Sequence, residues 1–151
     1  MASSVCRGVL LALLGLAGCT VIELPKDFLV LDQFDGAEDF RAVTGDDARV
    51  WIREFEDPNA ADREFWRQAV EYDFTQQRGY ELVAKGEVKN RSEVTGDWFE
   101  CAANVGGERF GYLVAVWVSG KQIRTVEFTA RADVWKARVE SVRAALRTVR
   151  G

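Results

Sequence analysis

A chain of 151 residues, 48% hydrophobic and 29% charged, has the size and composition of one globular domain with a real core. Its formal net charge of −4 at neutral pH sets its surface against polyanions and excludes a nucleic-acid role. The complete lack of histidine removes Ser-His-Asp and Cys-His catalysis together with histidine metal sites.

Arg7 is followed by an apolar run from Gly8 to Ala17 and then by small residues and a cysteine, the layout of a secretory signal. About ten apolar residues at ~1.5 Å each reach ~15 Å, half of a ~30 Å hydrocarbon core, which is too short for a transmembrane helix. A signal peptide over residues 1–18 is the better reading. Its last positions, Leu16-Ala17-Gly18-Cys19, resemble the lipobox of bacterial lipoproteins. The resemblance implies cleavage before Cys19, a diacylglyceryl group on its thiol and a fatty acyl chain on its new amine, with no other cofactor. At ~0.8 kcal/mol per buried CH₂, two or three such chains anchor durably where one holds only briefly. Thr20 in the next position leans, by the same resemblance, towards a place in the bacterial cell envelope on the outer membrane facing the periplasm. The plain alternative is an ordinary cysteine near the end of an ordinary signal.

Cys6 leaves with that signal and Cys19 takes the lipid, so Cys101 remains alone in an oxidising compartment. Alternation along Trp98 to Val105 sets Cys101 on the side of Phe99, Ala103 and Val105, the position of a buried structural thiol.

Residues 19–27, with Pro25, read as a lipidated tether, and 28–151 as a single domain. Phe28 to Leu31 reads as a short strand, followed by an acidic bend from Asp32 to Asp39. Asp39 to Thr44 and Ala48 to Glu56 read as a hairpin turning at Gly45-Asp46. In its second strand Val50 and Ile52 point to the core, while Arg49, Trp51, Arg53 and Phe55 share the other side. Asn59, with Asp62 three residues on, is the expected N-cap of a helix running to about Arg78, stopped by Gly79. Phe65, Trp66, Ala69, Val70, Tyr72 and Phe74 recur along it at near-helical spacing and read as its core face. From Tyr80 the period changes to two. Glu81 to Lys89, Asp97 to Val105, Arg109 to Val118 and Gln122 to Phe128 predict four strands, punctuated by Gly96, Gly106-Gly107 and Ser119-Gly120. Such short connections predict antiparallel neighbours. The unbroken apolar run Tyr112 to Val118 predicts a central strand covered on both faces. Thr129 is the expected cap of a last helix that carries Trp135, Val139, Val142, Leu146 and Val149 inward.

The buried strand, the Ser-Gly turn, the strand ending Val126-Glu127-Phe128-Thr129-Ala130 and the terminal amphipathic helix resemble the end of PsbP-like domains. Phe65-Trp66 and Arg78-Gly79-Tyr80 add to the likeness. That family includes the extrinsic photosystem II protein, a Ran-binding import factor and DcrB-type bacterial lipoproteins. The resemblance implies an α+β fold, an antiparallel β-sheet flanked by helices in an α/β/α sandwich, and an accessory or binding role without catalysis. None of the photosystem-binding or Ran-binding residues is recognised here.

Among candidate sites, Asp32, Asp35, Glu38 and Asp39 crowd one bend, as in oxygen-rich calcium loops, but lack EF-hand spacing. They read first as solvated turn acids. Arg49, Trp51, Arg53 and Phe55 combine the residue types enriched where proteins meet. The competing reading covers them with a helix and lets the arginines snorkel past it. The leading expectation is a lipid-anchored, non-catalytic protein that binds another envelope protein. A carrier of a small apolar ligand between sheet and helix comes second, and an enzyme using carboxylates alone third.

Overall fold

The computed structural model describes residues 21–31 and 40–150. In chain order these form β1 (Leu29–Val30), β2 (Phe40–Val43), β3 (Arg49–Glu56), helix α1 (Arg63–Tyr72), β4 (Glu81–Lys89), β5 (Thr95–Val105), β6 (Glu108–Ser119), β7 (Gln122–Arg131) and helix α2 (Ala132–Ala145). All seven strands pair antiparallel in one sheet ordered β1-β2-β3-β7-β6-β5-β4. Strands adjacent in sequence are adjacent in the sheet except where β3 meets β7, from Arg49↔Thr129 to Glu56↔Gln122. That one long-range pairing joins the N-terminal hairpin to the C-terminal meander.

Each face of β6 is apolar, as its unbroken run requires. Leu113, Ala115 and Trp117 face α2, which seals the larger core with Val134, Trp135, Val139, Val142 and Leu146. Val114 faces the other helix, in a smaller cluster with Phe74, Phe99 and Cys101. Cys101 is buried, and burial pushes its thiol up to about 11, so the inert structural reading holds. The result is the α+β sandwich expected, with one helix on each side of the sheet.

Three tryptophans lie over three glycines. A Cβ on Gly86 would come within 2.9 Å of Trp98, one on Gly96 within 2.5 Å of Trp117, and one on Gly111 within 2.0 Å of Trp135. Trp135 also stacks on Phe128, with ring centroids 4.9 Å apart. Gly96 therefore sits inside β5 as room for an indole, where its composition suggested a turn.

Three further expectations are corrected. The stretch read as a tether packs on the domain from Val21 onward: Ile22 is 2% exposed, the Glu23 amide donates to Thr148 Oγ1, and the Arg150 amide donates to the Val21 carbonyl. Its apolar residues find a vacant strip beside the end of α2, and burying them outweighs the freedom of a linker. The cap of α1 is Asp62, whose carboxylate accepts from the Phe65 amide, while Asn59 sits in a turn whose amides at 59 and 61 donate to Asp57. Thr129 stays within β7 and donates its hydroxyl to the Gly111 carbonyl, so α2 starts after Arg131 with no side-chain cap. The β2–β3 turn sits at Gly45-Asp46 as expected, closed by the Asp47 amide donating to the Thr44 carbonyl, and Asp47 follows it in the left-handed region at φ 67°.

The aromatic stripe of α1 is only partly core. Phe74 is buried, Trp66, Ala69 and Val70 are half-buried, and Phe65 and Tyr72 are exposed. A π-helical turn over Asp73–Gln77 follows, and Phe74 is its buried residue.

Candidate functional site

In β3 the alternation sends Val50 and Ile52 into the α2 core and Trp51, Arg53 and Phe55 to the opposite face. Helix α1 crosses β5 and β6 and reaches β3 only at its far end, where Trp66 meets Phe55 edge-on at 5.5 Å. Ten residues at ~1.5 Å each, ~15 Å, span too little of a seven-stranded sheet with strands ~4.8 Å apart. The face is therefore divided: Phe55 meets the edge of α1 through Trp66 while staying 37% exposed, and Trp51 lies beyond the helix.

On the open half lies a half-open groove of about 530 Å³, walled by Leu31, Arg41, Val43, Trp51, Tyr112 and Glu127 among others. Trp51 lies between two guanidinium groups, Arg41 at 4.9 Å and Arg53 at 4.4 Å from its ring. Arg53 also pairs with Glu127, which is 6% exposed and accepts a second hydrogen bond from the Tyr112 hydroxyl. A carboxylate that deep needs both partners, since an unpaired buried charge is costly. Burial, aided by that bond to Glu127, raises the Tyr112 phenol above its ordinary pKa. At the mouth, Arg49 pairs with Asp47 at 2.9 Å, a solvent-exposed contact of little energetic weight.

Arg49 and Trp51 thus line this groove, Arg53 borders it through Trp51 and Glu127 while lining the space under α1, and Phe55 lies away from it. Cys19, Asp32, Asp35, Glu38 and Asp39 lie outside the described residues. Among the described residues no cluster of three or more His, Cys, Asp or Glu side chains could hold a metal ion, and no helix is long and apolar enough to cross a membrane. Sequence reading missed Arg41, Tyr112 and Glu127. The signal was present in Glu127, a carboxylate in the middle of the buried run Thr125 to Phe128, which implies a cationic partner on the neighbouring strand.

The titrating groups predict a stability plateau with two flanks. With no histidine, nothing of that type titrates between pH 5 and 8. Asp57 is held below its ordinary pKa by the Ala61 and Asn59 amides, and Asp46 by Arg138 and Thr44. Their contribution is complete above the unfolded value near 4 and fades as pH falls through the lower folded values. Tyr112 and Cys101 are raised, so theirs is complete below the unfolded values and fades as pH climbs past about 9 to 10. Urea midpoints measured from pH 3 to 11 should be flat between 5 and 8 and fall on both sides. Tyr112→Phe should soften the alkaline fall, and an unchanged alkaline limb would remove Tyr112 from this account.

The fold recurs in solved structures. LpqN of Mycobacterium tuberculosis, described as involved in cell envelope biogenesis, superposes with a TM-score of 0.67 at 10% identity over 86% of this chain and 82% of its own. The PsbP of the cyanobacterium Synechocystis gives 0.58 at 15% identity over 81% and 79%. A Pseudomonas aeruginosa protein of unknown function, described as a putative regulator, gives 0.58 at 11% over 82% and 96%. No family model matches the chain, and no curated protein does. The chain therefore shares the α+β fold of these PsbP-like structures, and none of the three neighbours is described as an enzyme.

Proposed function

We propose that this protein is a lipid-anchored, non-catalytic binding subunit of the bacterial cell envelope whose open sheet face receives an acidic, partly apolar segment of another envelope protein. The observation that carries the reading is Trp51 set between Arg41 and Arg53 on a half-open groove that helix α1 leaves uncovered. Aromatic and arginine side chains of this kind form the energetic centres of protein interfaces. The envelope setting rests on the lipobox at Leu16-Ala17-Gly18-Cys19, and the envelope role of LpqN is in keeping with it.

A carrier role is less favoured. The space between α1 and the sheet near Trp66, Val70 and Phe74 is about 210 Å³, below the ~300 to 1,000 Å³ of typical small-molecule sites.

Two measurements test the proposal. Cys19→Ser should lower the membrane-bound fraction and remove the mass of the acyl chains, and an unchanged intact mass and fractionation would end the anchor. Cross-linking in intact cells should yield a discrete partner adduct that Trp51→Ala with Arg49→Glu reduces at least tenfold, while Lys121→Ala, in the exposed β6–β7 turn, leaves it alone. An adduct equally strong in both variants would place the interface elsewhere.

A further inference from the structure

The anchor leaves almost no free chain. Ile22 is 2% exposed within the α2 core, the Arg150 amide bonds the Val21 carbonyl at 3.1 Å, and the Glu23 amide bonds Thr148 Oγ1 at 2.8 Å. Three residue steps lead from Cys19 to Ile22, a reach of about 10 Å when fully extended. The end of the domain where Val21 emerges must therefore lie within headgroup distance of any bilayer that holds Cys19.

That end is formed by the 3₁₀ turn Leu146–Thr148 after α2 and by the β4–β5 turn, tied together by the Arg91 amide donating to the Val149 carbonyl. It carries Lys89, Arg91, Arg147 and Arg150. Its carboxylates Glu23 and Glu93 ion-pair with Arg91 at 3.2 Å and Lys89 at 3.4 Å, so the arginines after α2 tip the local balance positive in a chain that is acidic on average. Cations this close to a bilayer favour anionic lipid.

From these positions we infer that the domain is seated on an anionic bilayer in one orientation, with the β4–β5 turn and the end of α2 against the headgroups. The inference rests on the Cys19 anchor proposed above. It has a consequence for binding. The Trp51 groove lies on the opposite face of the sheet and about four residues, ~14 Å, further along the strands, as the row Trp51↔Glu127, Val114↔Glu127 and Phe99↔Val114 shows. The groove then points away from the bilayer, towards a partner arriving from the aqueous side.

The test uses the full-length acylated protein in vesicles of phosphatidylcholine and phosphatidylglycerol that carry a spin-labelled lipid. Bimane on Ser92→Cys, at the β4–β5 turn, should be quenched several-fold more than bimane on Asn104→Cys, at the far end of β5. Cys101 does not interfere, because its thiol is buried. Eight Gly and Ser residues inserted between Thr20 and Val21 should bring the two probes together. Equal quenching of both probes in acylated, vesicle-bound protein without the insert overturns the fixed orientation alone. An intact mass showing an unmodified Cys19 overturns the anchor and this inference together.

Discussion

Gly111→Ala should be the most damaging small substitution in the protein, lowering stability by about 3 kcal/mol, the upper part of the range for overpacking a well-filled core. The added Cβ would lie 2.0 Å from the Trp135 ring, closer than any real contact. The indole cannot retreat, because Phe128 stacks on it at 4.9 Å and α2 is held down by Val139, Val142 and Leu146. At roughly 3 to 4 °C per kcal/mol for a domain of this size, thermal unfolding should drop by about 10 °C. The double variant Gly111→Ala with Trp135→Leu should recover part of the loss relative to the sum of the single changes, since a shorter side chain vacates the colliding volume. A midpoint within 2 °C of the parent would mean that α2 can slide, and the rigid docking described here would be wrong.

Arg53→Ala should cost about 2 to 3 kcal/mol and disable the groove at once. It leaves the Glu127 carboxylate, 7% exposed, with the Tyr112 hydroxyl as its hydrogen-bond partner and Arg78 as the remaining cation in electrostatic range. Removing one member of a fully buried pair costs ~3 to 5 kcal/mol, and the 37% exposure of Arg53 admits water and lowers that figure. Arg53→Ala with Glu127→Gln should be more stable than Arg53→Ala alone, because the buried charge is gone. Trp51 loses the guanidinium 4.4 Å from its ring in both variants, so partner cross-linking should stay low even where stability returns. Equal stability of the single and double variants in urea titration would show that water already solvates Glu127.

These two expectations separate the faces of the sheet by task. The α2 face is closed, apolar and intolerant, with indoles filling the places where glycines lack a side chain. The α1 face is closed over Phe74, Phe99 and Cys101 and open beyond them, and its open part keeps a charge network that a simple core would not need. Apolar burial holds the fold together from one side while the other retains side chains suited to recognition.

Much of this was determined by the sequence alone, because the information was local. Strand β4 spans Glu81–Lys89 as its alternation dictates, the run Tyr112 to Val118 is the doubly covered part of β6, and Trp135, Val139, Val142, Leu146 and Val149 are all buried as their spacing requires. A period of two or 3.6 is a property of neighbouring residues, so no distant contact is needed to read it. What the tertiary structure decided are the matters of reach and company. Whether the side of β3 bearing Trp51 and Arg53 was covered depended on where a ten-residue helix came to rest on a sheet wider than itself. Glu127 met Arg53 because β3 and β7 pair across more than seventy residues of chain, a register that no local pattern encodes. Val21 to Leu24 resembled a spacer until the end of α2 offered them a place to bury, and Gly96 resembled a turn until an indole from the next strand filled its space.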